Sequence, residues 1–145
     1  MNNVYKLVKN FKTKYSKTIA FRIKSHCNVI SLHLNSDEEV IYAFPAQDNR
    51  SSYMIINSCV VALTNKRLLL GKKRLLWGYF LTSITPDLYN DLKVVKNLIW
   101  SNIEIDTVKE NIYLSNIDPD GAVEIESVIT DYIIKEKQKY GQKNN

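Results

Sequence analysis

The chain has 145 residues, 45% of them hydrophobic and 24% charged, with a formal net charge of +5. This is one domain's worth of chain with enough apolar material for a core, which excludes a disordered polypeptide and one that needs disulfide or metal staples. No run approaches the roughly 20 apolar residues of a membrane-crossing helix.

The opening residues carry lysines among apolar side chains but no compact apolar stretch with a small-residue cleavage site, so a cytoplasmic location is expected. Cys27 and Cys59 lack CxxC spacing and are expected to be small buried thiols in a reducing compartment. The net charge hides an asymmetry. Residues 1–36 hold seven basic side chains (Lys6, Lys9, Lys12, Lys14, Lys17, Arg22, Lys24) and no acidic one, whereas 37–145 hold thirteen basic and fifteen acidic. The excess positive charge therefore belongs to the leading segment.

On a helical wheel Val4, Leu7, Val8, Phe11, Tyr15 and Ile19 share one arc, with Lys6, Lys9, Lys12 and Lys17 around the remainder. The pattern predicts an amphipathic helix over Val4–Ile19 that fails after Ala20, followed by a break between Phe21 and Asn28. The spacing of Val29, Leu32 and Val40 predicts a second helical piece from Val29 to about Glu39. Strand alternation then starts at Ile41, and Pro45 implies an edge or strand-end position because it has no N–H for a ladder. Gln47–Tyr53 reads as a loop.

Ile55–Thr64 and Arg67–Lys72 read as strands joined by a two-residue connection, Asn65 and Lys66. Leu75, Trp77, Tyr79 and Leu81 alternate with Leu76, Gly78, Phe80 and Thr82, so this segment reads as a strand buried on both faces or covered by another element. After Pro86 the alternation is clean: Leu92 and Val94, then Ile103 and Ile105, then Ile112 and Leu114 form dry faces opposite wet ones. Asp118–Pro119 is an N-cap and first-turn pair, and the stripe Ala122, Ile125, Ile129, Tyr132, Ile133 predicts a closing helix from Pro119 to Tyr140, with 141–145 as a frayed tail.

The run Val60-Val61-Ala62-Leu63-Thr64-Asn65-Lys66-Arg67-Leu68 resembles a hairpin of bacterial pleckstrin-homology-like (PH-like) domains, particularly the YokE-like branch. Ile103–Thr107, Asn111–Leu114 and the Asn116-Ile117-Asp118-Pro119 approach to the closing helix support it. The resemblance covers about Glu38 to Lys135. It implies an α+β, mainly β fold: a partly open seven-stranded antiparallel barrel capped by a C-terminal helix, over residues 38–140, here preceded by a basic helical segment over 1–37. It implies no catalytic site and no established ligand. Eukaryotic members grip phosphoinositides with basic residues of the first two strands and their loop, where Ile41–Met54 offers only Arg50, so that function does not carry over.

Chemical motifs are sparse. Gly71, Gly78, Gly121 and Gly141 form no phosphate-cradling loop, and Lys66 stands where a loop ending Gly71-Lys72-Lys73 would need its first glycine. His26, Cys27, His33 and Cys59 have no metal-ligand spacing. Glu104 and Asp106 share the wet face of an alternating strand. The sequence thus points to a non-enzyme without cofactor or metal. It would act by protein-protein contact or as a homo-oligomer, with no nucleic acid and no small-molecule substrate expected. The alternative is peripheral binding to an anionic membrane surface through Lys6, Lys9, Lys12 and Lys17 on the leading helix and Lys66, Arg67, Lys72, Lys73 and Arg74 at the barrel rim. Trp77 and Tyr79 read as structural.

Overall fold

The computed structural model describes residues 3–51, 53 and 55–143. Two helices, α1 (Asn3–Lys14) and α2 (Ile23–Leu32), precede seven strands: β1 (Val40–Gln47), β2 (Ser58–Thr64), β3 (Leu68–Lys73), β4 (Tyr79–Ile84), β5 (Tyr89–Lys96), β6 (Ser101–Thr107) and β7 (Asn111–Ile117). A long helix, α3 (Pro119–Lys143), closes the chain. The strands form one antiparallel sheet in the order β4-β3-β2-β1-β7-β6-β5. β4 and β5 are consecutive in the chain yet stand at opposite borders, so the barrel is open between them.

The alternation that identified the strands also sorts the core. Phe44, Val61, Leu63, Leu70, Ile103, Ile105 and Leu114 point inward and meet Ile125 and Ile129 of α3, which are 0% and 1% exposed. The helical stripe therefore seals the barrel as its spacing predicts. Asp118 caps α3: its Oδ1 accepts the Asp120 N–H at 3.0 Å.

A second core lies on the outer face. Val4 and Val8 of α1 with Cys27 and Ile30 of α2 cover Val60, Ala62 and Leu69. This explains why every residue of β2 is buried and why its sequence shows no wet face. Both thiols are free and buried, and burial pushes the Cys27 thiol up to about 12.

Several expectations need correction. The first helix ends at Lys14 rather than Ile19, because the Thr18 hydroxyl turns to accept the Asp118 N–H at 3.0 Å and ties the following residues to the start of α3. The second helix spans Ile23–Leu32, not Val29–Glu39. Its inward residues are His26, Cys27, Val29 and Ile30, while Leu32, which helped to set the expected register, is 82% exposed. Glu38 instead turns inward, and Asn65 at the β2–β3 turn takes the Glu39 N–H on its Oδ1.

The third correction concerns Leu75–Leu81. Strand β4 begins only at Tyr79, and Leu75–Gly78 form the exposed tip of the β3–β4 hairpin. Strand β2 likewise starts at Ser58 rather than Ile55, leaving Ile55 and Ile56 exposed beside that tip, and α3 continues through Lys143.

Candidate functional site

The cations expected at one rim lie at two separate places. Lys66 and Arg67 occupy the β2–β3 turn, where the expected connection Asn65-Lys66 is found, whereas Lys72, Lys73 and Arg74 occupy the β3–β4 end. The six residues of β3 separate the two turns by roughly 20 Å.

Arg67 is held internally. Its Nε and Nη2 donate to the two carboxylate oxygens of Glu38, each at 2.8 Å, while Nη2 also reaches the His33 carbonyl at 2.9 Å and Nη1 the Ser83 hydroxyl at 3.2 Å. The guanidinium holds the Glu38 carboxyl down to about 2 against the cost of its burial. Lys66 pairs with exposed Asp37 at 2.6 Å. On α1, Lys6 and Lys9 are exposed, Lys12 donates to the Thr18 carbonyl at 3.0 Å, and Lys17 lies exposed in the turn beyond. The apolar arc that these lysines flank is buried against the barrel, with Val4 and Val8 at 0% exposure.

At the other end the cations join an apolar patch. Leu75, Leu76 and Trp77 are 78%, 79% and 72% exposed, and Phe80, Ile55 and Ile56 stand around them. Together with Phe21 they line a groove of about 720 Å³. Its cationic lining is Arg22, Lys72, Lys73 and Arg74. The only acid in ion-pair contact with these four among the described residues is Asp48, 3.3 Å from Lys72. The turn itself needs Gly78, whose φ of +81° lies where side-chain-bearing residues are strained, and closes with the Arg74 N–H donating to the Gly78 carbonyl at 3.0 Å.

Helix α2 fixes the base of this hairpin. Arg22 sits in the left-handed region (φ 55°) at the start of the helix, and its guanidinium donates to the carbonyls of Lys73 and Arg74 at 3.3 and 3.4 Å. Buried His26 accepts the Lys73 N–H on Nδ1 at 2.9 Å. Desolvation, with the positive charges of Arg22 and Lys72 nearby, lowers its pKa to about 4, so the ring is neutral at neutral pH. The unfolded chain takes up this proton near pH 6.5 and the folded chain only near 4. Stability is therefore expected to fall as pH drops through that window, by up to about 3 kcal/mol from this group. Chemical denaturation across pH 4–7 should show the loss, and His26→Gln, which keeps an acceptor and does not titrate, should flatten it.

The sequence listed these cations but read Trp77 and Tyr79 as structural. The structure leaves Trp77 largely exposed at the tip, and Tyr79 half exposed with its hydroxyl 3.0 Å from His33 Nε2. Arg50 lies over the Tyr113 ring at 3.9 Å and is hydrogen-bonded to its hydroxyl. Met54 lies outside the described residues. Among the described residues no group of three or more His, Cys, Asp or Glu is placed to hold a metal, and no helix is long and apolar enough to cross a membrane.

A second feature is the bare border of the sheet. The six residues of β4, Tyr-Phe-Leu-Thr-Ser-Ile, pair with β3 without a bulge and contain no charge and no proline. The opposite border is guarded in three ways: β5 has a register shift between Tyr89 and Asp91, it carries Lys93 and Lys96, and α3 packs on it with Lys137 donating to the Tyr89 carbonyl at 2.9 Å.

The fold has a solved counterpart. A DUF1696 family protein with a pleckstrin-homology domain from Shewanella loihica PV-4 is similar in structure, with a TM-score of 0.52 at 14% sequence identity over 81% of this chain and 97% of that one. No curated protein matches the chain. Neither comparison identifies the YokE-like branch, and the fold is one whose members are generally non-catalytic. Residues 34–131, which span β1–β7 and the first half of α3, match the family described as Bacterial PH domain, and the chain belongs to that family.

Proposed function

We propose that this protein is a non-catalytic interaction module that takes an added β-strand from a protein partner along β4. The observation that carries the reading is the asymmetry of the two sheet borders. An unguarded row of backbone N–H and C=O groups pairs with any strand presented to it, and folded proteins ordinarily block such rows with charge, proline, bulges or cover. β5 is blocked in this way and β4 is not. The buried outer face argues in the same direction, since α1 and α2 already have their partner in the barrel.

A second copy of the chain is one source of such a strand, because an uncharged edge meets its own copy without repulsion. Light scattering of the full chain over a concentration series is expected to show association that Thr82→Lys abolishes, a lysine on the edge being a strong block to pairing. A synthetic peptide with the sequence of β4 should slow hydrogen exchange of the β4 amides in the same way. A chain that stays monomeric at all concentrations, with β4 exchange unaltered by the peptide, would remove the edge as a docking strand.

A further inference from the structure

We infer that the groove between the β3–β4 tip and the residues leading into β2 is a docking site for an acidic segment of a protein partner that carries aliphatic anchors. The site is separate from strand addition at β4. Leu75, Leu76 and Trp77 form one wall with most of their surface in water, and the exposed Ile55 and Ile56 line the same cavity. Large apolar side chains gathered in this way mark an interaction site rather than ordinary surface scatter.

Another wall is particular to this chain. Phe21 and Arg22, with His26 of α2, precede residue 34, where the family match begins. The Arg22 guanidinium, bonded to the carbonyls of Lys73 and Arg74, fastens this wall to the hairpin, and the buried His26 ring holds the Lys73 N–H. The groove is therefore shaped before a partner arrives, so little ordering entropy is left to lose on binding. Its volume of about 720 Å³ is of the size that holds a few side chains.

The chemistry of the occupant follows from charge. Four cations line the groove, and among the described residues only Asp48 forms an ion pair with any of them, 3.3 Å from Lys72. A segment with aliphatic side chains at its centre and carboxylates at its flanks suits both parts. Its apolar area leaves water against Leu75 and Ile56, and its carboxylates meet Arg22, Lys73 and Arg74.

Other occupants fit less well. A second copy brought tip to tip would set the same four cations against one another. Single-stranded nucleic acid stacks its bases on open aromatic faces. Here Lys72 and Arg74 already lie over the Phe80 ring, 5.3 and 5.4 Å from its centroid, and the larger part of the apolar lining is aliphatic. A bilayer meets projecting groups and leaves a recess between walls unfilled.

The test uses the full chain and a short fluorescein-labelled peptide in which glutamates flank pairs of leucines. Control peptides carry lysine for glutamate or serine for leucine. Fluorescence anisotropy is expected to show binding of the acidic peptide that weakens as salt is raised, and no binding of either control. Lys73→Glu with Arg74→Glu is expected to weaken it about tenfold, two attractions being turned into repulsions. Leu75→Ser with Leu76→Ser should weaken it by at least about tenfold through lost apolar burial. Both leucines are exposed, and Arg22 and His26 bond only the backbone of Lys73 and Arg74, so both variants are expected to keep the wild-type thermal midpoint.

In Trp100→Phe the remaining tryptophan is Trp77, whose emission should shift to the blue with the acidic peptide. Thr82→Lys blocks strand addition and should leave peptide binding intact, so failure at β4 and failure at the groove are told apart. Absence of binding up to about 1 mM acidic peptide overturns the proposal. So does equal binding of the acidic and basic peptides, or binding that Thr82→Lys abolishes and the tip variants keep. Binding of wild type to phosphatidylserine vesicles or to a thymidine oligonucleotide, without binding of the acidic peptide, overturns it in favour of that occupant.

Discussion

Arg67→Ala is expected to lower the unfolding free energy by about 3–5 kcal/mol at neutral pH, the scale for leaving one member of a buried ion pair without its partner. Glu38 has no exposed side-chain surface, and Arg67 supplies both of its two-point contacts, with the Thr64 hydroxyl as a further donor at 2.7 Å. The same guanidinium ties the His33 carbonyl at the end of α2 to Ser83 of β4, so its loss loosens three elements at once.

The pH dependence separates charge from packing. In wild type the depressed Glu38 contributes stability above its ordinary pKa, and that contribution fades as pH falls toward 2. In Arg67→Ala the carboxyl stays buried and keeps only the Thr64 hydroxyl and the Asn35 N–H as donors, so its pKa is expected to rise from the depressed wild-type value. The deficit should therefore shrink as the buffer is acidified. Arg67→Lys should recover only part of it, because an ammonium cannot make the two parallel bonds. Lys66→Ala, at an exposed pair with Asp37 on the same turn, should change stability by less than about 1 kcal/mol. Urea denaturation of the three variants at neutral and acid pH checks all of this.

Phe11→Ala is expected to cost about 3–5 kcal/mol, as much as a large aromatic in the barrel itself. Phe11 is on α1, outside the family match, yet its ring stacks among Tyr15, Tyr42 and Phe44 with centroids 4.9–6.3 Å away. It also lies so close to α3 that a Cβ added at Gly121 would stand 2.8 Å from its ring. The helix that reads as a basic leader is thus a wedge between the sheet and the closing helix. A single cooperative transition with a lowered midpoint is the expected result. An unchanged midpoint would mean that α1 docks without contributing to the fold.

How far the sequence reveals this protein depends on which interactions set each element. The Thr64-Asn65-Lys66-Arg67 turn and the Asp118-Pro119 cap are legible because their local hydrogen bonds decide the backbone. The strands after Pro86 are legible because one face is wet. The position of α2 is not, since Ile23, Cys27 and Ile30 give a short stripe that competes with the equally plausible spacing of Val29, Leu32 and Val40. What decides is the outer face of β2 and β3, which no local pattern displays.

The tip fails to show for a different reason. Leu75–Leu81 alternates like a strand buried on both sides, and an apolar run destined for an internal neighbour has the same composition as one left bare for an external one. Only the observed hairpin turn at Gly78 distinguishes them. Arg67 shows the converse: a residue counted among surface cations by its sequence neighbourhood is committed to a buried acid.

The unequal borders of the sheet also set a limit on assembly. A polymer grows only when each added unit offers a fresh end, and here the far side of every unit is shut by the β5 kink, its lysines and the α3 cover. A strand joining at β4 would therefore terminate the chain of contacts, with one strand per domain as the expected stoichiometry. An open barrel of this kind can be sticky without forming fibres.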